Sequence, residues 1–142
     1  MQMRFFRIGC YLAFLTAILH LVGAHLVPQP PPPDDTGRQM QQLMETYKLG
    51  LPGAADRTMA ELVNGFSLLM SLHYALTGGL GLIVARRAAG DPLLMAAAAR
   101  ALAGAYVIAL VISLSYFFII PTICSGAVAL CFVIASVRAP TA

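Results

Sequence analysis

Residues Ala101 to Val137 read ALAGAYVIALVISLSYFFIIPTICSGAVALCFVIASV, a run without a single Asp, Glu, Lys or Arg. One helix crosses a bilayer in roughly 20 residues, so this run is too long for one span and about right for two. Pro121 divides it. Proline lacks an amide hydrogen and suits the first turn of a helix, so it marks the opening of a second helix. The segment reads as two spans, about 93–118 and 121–137, joined almost without a loop. The first turns of the earlier one are alanine-rich and contain Arg100, which places the start of its hydrocarbon portion near Ala101.

Working back, Gly90-Asp91-Pro92 forms a tight turn in which Asp91 caps and Pro92 takes the first helical position. Before it lies a span of about 60–85 that closes on Arg86-Arg87. A further apolar stretch covers about 5–27, interrupted by Arg7, His20 and His25. A signal peptide competes for this stretch, with Arg4 and Arg7 as its positive region and Val22-Gly23-Ala24 as a cleavage site. The apolar length exceeds that of such a segment, which favours a retained helix.

The outer loop, 28–59, opens on Pro28 and Pro30 to Pro33, a stiff polyproline-like exit from the membrane. Asp35 or Thr36 then caps a short helix over about 38–48. Met40, Leu43, Met44 and Tyr47 fall on one face of it, so it reads as an amphipathic helix at the membrane surface or over the mouth of the bundle. Gly50, Pro52 and Gly53 end it.

Composition agrees with four spans. Hydrophobic residues make up 59% of the chain and charged residues 11%, against about 45–50% and about 25% in soluble domains. A net charge of +3 raises nucleic acid as a partner. The basic residues, however, stand at the ends of apolar segments and form no stripe interleaved with aromatics, so no nucleic acid is expected. Arg4, Arg7, Arg86, Arg87, Arg100 and Arg138 lie beside one set of span ends; Arg38, Lys48 and Arg57 lie beside the other, among five acids. The positive-inside rule then puts both termini in the cytoplasm and the proline-rich loop outside. Cys10, Cys124 and Cys131 sit inside apolar segments without a CxxC pair and read as packing residues.

Helices in lipid associate through small residues and shared hydrogen bonds. Gly9, Ala13, Thr16, His20 and Gly23 make such a face on the first span. Asn64, Ser67, Ser71, Tyr74 and Gly78 make one on the second, with Gly78-Gly79-x-Gly81 inviting a close backbone approach. The fourth span carries Cys124, Val128, Cys131 and Ala135 on one side and Thr122, Ser125 and Ala129 on another. Counting from the nearest arginine, His20, His73 and Ser113 each lie 13 residues in and Cys124 lies 14. At about 1.5 Å per residue, all four helices then carry a polar side chain roughly 20 Å from the inner anchors.

Two readings of that layer remain open. In one, His20 and His73 hold haem, a transition metal or a quinone, with Cys124 as a further ligand. In the other, each histidine is neutral and bonds a neighbouring helix, His20 to Tyr74 or Tyr116 and His73 to a serine or threonine. Thr16, Ser71, Tyr74, Ser113 and Cys124 then form a ligand-binding or packing face, and no metal is bound. His25 reads as an interfacial residue. Arg57, Glu61 and Asn64 mark the outer mouth, where Glu61 caps the second span or pairs with Arg57. No GxSxG, HExxH, Walker or dinucleotide motif is present, and the sequence names no catalytic residue.

Met44-Glu45-x-Tyr47, Leu51-Pro52-Gly53, Arg57-Thr58 and Gly65-Phe66-Ser67-Leu68 together resemble a family of small, uncharacterised four-span bacterial membrane proteins. The resemblance implies a bacterial cytoplasmic membrane and no known activity. It also implies that the Leu51-Pro52-Gly53 turn, Arg57 and Gly65-Phe66 form one unit, with Arg57-Thr58 capping the helix and Gly65 letting the surface helix pack closely. The expected protein is all-α: a four-transmembrane-helix bundle with a short amphipathic helix in its first outer loop. Its expected partners are the lipid bilayer, a lipid-like ligand, and another membrane protein or a second copy of itself. Redox chemistry on His20 and His73 is the alternative.

Overall fold

The computed structural model describes residues 2–50, 52–53, 56–88 and 90–137. Among them the regular elements are all helical. We label them α1 (Gln2–Leu21), which continues into a π-helical turn over Val22–Leu26, α2 (Asp35–Thr46), α3 (Met59–Arg87), α4 (Pro92–Tyr116) and α5 (Ile119–Val137). Four are long and apolar enough to cross a membrane: Gln2–Leu26, Met59–Arg87, Pro92–Tyr116 and Ile119–Val137. The chain is a multi-pass, all-helical membrane protein.

Helix ends follow local chemistry. Thr58 caps α3 in a reciprocal box: its hydroxyl accepts from the Glu61 amide at 3.2 Å, and the Glu61 carboxylate accepts from the Thr58 amide at 2.8 Å. Arg57 donates to the same carboxylate at 3.2 Å, so Glu61 both caps and pairs. Asp91 accepts from the amides of Leu93 and Leu94, and Pro92 opens α4. α4 stops at Tyr116 because Phe117 turns extended (φ −116°, ψ 164°). α5 then starts at Ile119, two residues before Pro121, which the first turn tolerates because its amide has no intrahelical partner there. Thr122 latches the hairpin, its hydroxyl 3.1 Å from that of Ser113.

The short helix differs from the expected 38–48. It begins at Asp35 because Asp34, rather than Asp35 or Thr36, accepts from the Gly37 amide at 2.7 Å. Gly37 is required there, since a Cβ would sit 2.8 Å from the Cβ of Pro32. It ends at Thr46 because the following residues pair with the approach to α3: the Leu49 amide donates to Arg57 O at 3.0 Å and the Met59 amide to Tyr47 O at 3.3 Å. Gly50 and Gly53 turn the chain between these strips with positive φ of 61° and 80°. Leu51 of the Leu51-Pro52-Gly53 turn and the arginine at position 138 lie outside the described residues.

α1 is the hub, packed against α3 on one side and α5 on the other; α4 leans on α5, while α3 and α4 barely touch. Apolar side chains gain little by leaving lipid for each other, so close backbone approach must hold the bundle. It is made where α1 begins. A Cβ on Gly78 would fall 2.7 Å from Cys10 O and 2.8 Å from the Cβ of Phe14, and one on Gly81 would meet the Cys10 sulfur. Gly9 admits the ring of Phe132, whose edge lies 3.0 Å from where a Cβ would be. Phe6, Cys10, Ala13, Ala85, Ala99 and Phe132 are buried around these contacts. Gly79 and Gly23 face open space. Gly65 does too, so the close packing expected there is not made: α2 leaves that part of α3 uncovered.

Candidate functional site

The other half of the bundle is hollow. A cavity of about 760 Å³ lies between α1, α3, α4 and α5, away from the glycine contacts. Its base is a chain of aromatic rings. The Tyr74 hydroxyl lies 2.7 Å from the Ser125 hydroxyl, its ring centroid is 5.7 Å from that of Tyr106, and Tyr106 in turn lies tilted against Phe132 at 5.5 Å. Leu19, Val63, Met70, Ile112, Phe117 and Ile120 supply the apolar wall. α3 and α4, which touch each other little, both line the cavity.

Polar groups are set into that wall from every helix. His20, His73, Ser113 and Cys124, placed at one depth by counting, all line the cavity, as do Thr16, Tyr74 and Asn64. Ser71 does not: it is buried, with its hydroxyl 3.3 Å from Ser67 O. Arg57 and Glu61 also stand apart, lining a separate groove with Leu49, Gly65 and Phe66. The three residues assigned to the outer mouth are therefore divided, with Asn64 turned to the cavity and the ion pair away from it. Thr16 returns its hydroxyl to Leu12 O at 2.8 Å, and Ser113 is taken up by Thr122. His73 packs edge-on to Tyr74, centroids 6.4 Å apart. Among the described residues, neither His73 nor Asn64 has a side-chain hydrogen-bond partner.

His20 has a different partner from those expected. Its Nε2 lies 2.9 Å from the Ser67 hydroxyl, whereas Tyr74 is bonded to Ser125 and Tyr116 is 82% exposed. His25 joins the same group. Its Nε2 is 3.0 Å from Ser67 Oγ, and its ring is edge-on to His20 with centroids 6.2 Å apart. Residues five apart point about 140° away from each other on an α-helix. The π turn removes that offset. The Val27 amide donates to Val22 O at 2.9 Å instead of to Gly23 O, and the carbonyl thus released accepts from the Gln29 side chain at 2.6 Å. Pro28 contributes by having no amide to offer Ala24 O, so an α-helical ladder ends here in any case. The signals for this arrangement were the His20/His25 spacing and Pro28-Gln29. Neither suggests it without a reason to insert a π turn.

The site fits hydrogen bonding better than metal ligation. His20 spends Nε2 on Ser67, which leaves only its Nδ1 for a metal or haem iron while that bond is kept. No three His, Cys, Asp or Glu side chains are gathered to hold a metal ion among the described residues. Cys124 lines the wall half-buried, and among the described residues no second cysteine lines the cavity.

Fold and site together define a four-span membrane protein with a cavity in one half of its bundle, walled by apolar groups and studded with polar ones. Compared with protein-family models, curated proteins and solved structures, the chain matches none of them.

Proposed function

We propose that this protein binds a lipid-like ligand, which enters the cavity sideways from the bilayer between α3 and α4. The observation that carries the reading is the cavity: about 760 Å³, within the roughly 300–1,000 Å³ common for small-molecule sites, with an apolar wall and polar groups left without protein partners. In a membrane such groups are costly unless something satisfies them. A ligand with an apolar body and a polar head does so.

In this reading the protein sits in a bacterial cytoplasmic membrane with both termini inside. Arg4, Arg7, Arg86, Arg87 and Arg100 support that orientation, because they occupy the helix ends next to the termini. The cavity then opens in the outer half. α2 lies along the outer surface with its apolar face in the interface; Met40 and Leu43, 65% and 61% exposed, are the residues that enter it. The resemblance to small four-span bacterial proteins carries the same placement and adds no activity.

Photo-crosslinking tests the ligand reading. The full chain in lipid nanodiscs containing a diazirine-tailed lipid is irradiated, digested and mapped. Adducts are expected on the cavity face of α3 and α4, around Met70 and Ala109. Labelling confined to the outward face of the bundle, at residues such as Leu72 and Leu114, contradicts a ligand site.

A further inference from the structure

Two further observations narrow the chemistry of that ligand, on the proposed reading that the cavity holds one. First, the cavity wall is polar in places, yet none of its lining residues is Asp, Glu, Lys or Arg. A phosphate or ammonium head drawn into it would lose water with no counter-charge, which is a large cost in a low-dielectric site. The nearest ion pair of the loop end, Arg57 with Glu61, is already satisfied and lines a different groove.

Second, Ser67 has hydrogen-bonding capacity to spare. A hydroxyl has one proton to donate and two lone pairs to accept with. His20 and His25 occupy two of these three positions, at 2.9 Å and 3.0 Å. Ser67 itself lines the cavity. Its third position is a lone pair if one imidazole donates and the other accepts, and the O–H if both imidazoles donate. Exchange of a histidine between its neutral tautomers converts one arrangement into the other. The chain therefore presents either a donor or an acceptor without acquiring charge, and the π turn that brings His25 round is what completes it.

We propose that His20, Ser67 and His25 form the headgroup subsite of the cavity, and that it selects a neutral lipid whose head is an uncharged oxygen, a hydroxyl or a quinone carbonyl, over a phospholipid. His73 and Asn64 lie on the same wall and supply further hydrogen bonds to that head. The apolar body of the ligand takes the remainder of the cavity and the seam between α3 and α4.

The test is a native mass spectrum of the full chain in mild detergent, offered equal concentrations of three probes: farnesol, a quinone with a short prenyl tail, and phosphatidylglycerol. Binding of either neutral probe at least tenfold over phosphatidylglycerol is expected, and which of the two dominates identifies the head as hydroxyl or carbonyl. In Ser67→Ala the neutral probe should weaken about three- to tenfold, the worth of one hydrogen bond. Ser71→Ala, one turn away and off the cavity wall, should leave it unchanged. Phosphatidylglycerol binding as well as the neutral probes overturns the assignment, and that comparison needs no variant. So does neutral binding that is indifferent to Ser67→Ala. Either result leaves a cavity ligand in place, whereas no adduct with any probe, or adducts that persist when Ala109→Phe fills the cavity, removes the ligand reading itself.

Discussion

Where α1 begins, the bundle is held by backbones in contact; where α1 ends, the same helices stand apart around a cavity. Near the termini, Gly9, Gly78 and Gly81 let Phe132, Cys10 and Phe14 fill the space between helices. Further along α1, Thr16 and His20 face the cavity, and no glycine brings a neighbour close. The difference teaches how a small membrane protein divides its tasks. Since lipid exerts no hydrophobic pressure on helices to associate, the stability must come from packing. Concentrating it in one half frees the other to remain open. The aromatic chain of Tyr74, Tyr106, Phe132 and Phe6 is the border, closing the packed half and serving as the base of the hollow one.

Substitutions that respect or violate this border should behave very differently. The largest effect is expected from Phe132→Ala, which removes a fully buried ring touching Gly9, Phe6 and Tyr106. A loss of about 3–5 kcal/mol is expected, read as unfolding in a detergent titration, whereas Leu114→Ala on the 67% exposed face should change little. Gly78→Ala forces a methyl against a backbone carbonyl and should cost about 1–3 kcal/mol. Its neighbour Gly79, with open space around it, is the matched control. Alanine there should be neutral or stabilise by up to about 1 kcal/mol through helix propensity. Equal effects at the two glycines would break the contrast between a packed face and a free one.

Smaller effects sharpen the border. Tyr74→Phe removes the 2.7 Å bond to Ser125 and should cost about 0.6 kcal/mol, the average for interhelical hydrogen bonds in membranes, and no more than about 1.7 kcal/mol. Thr58→Ala deletes the capping box of α3, with an expected loss of about 1 kcal/mol. That loss should appear as faster amide exchange over residues 59–62, with ligand binding unchanged because Thr58 is remote from the cavity wall.

How much of this was legible from the sequence depends on what kind of signal each feature leaves. Spans are set by runs of apolar residues, and the expected 60–85 and 93–118 lie within two residues of α3 and α4 at either end. Caps were equally plain at Asp91, where side-chain type and Pro92 agree. Counting from the arginines singled out His20, His73, Ser113 and Cys124, and all four line the one cavity. Facing was harder. Periodicity gave His20 a packed face but not its partner, because Ser67 and Tyr74 are both on α3 and only the tilt and rotation of the helices choose between them. The bond of His25 to Ser67 was not legible, because 3.6-residue periodicity fails across a π turn. The start of α2 was misjudged because Asp34, Asp35 and Thr36 are all competent caps, and the packing of Pro32 over Gly37 decides among them. Gly65 was assigned a close contact that it lacks, since a glycine in a helix signals possible approach and not the presence of a neighbour.

The most direct measurement of the central claim, that the hollow half is a ligand site, is a native mass spectrum of wild type beside Ala109→Phe, both released gently from membranes in mild detergent. Ala109 lines the cavity and takes no part in the packed half, so the variant should fold as wild type does. A discrete lipid-sized mass on wild type that is missing from the variant is the expected result. A bare chain in both, or the same adduct on both, contradicts the claim.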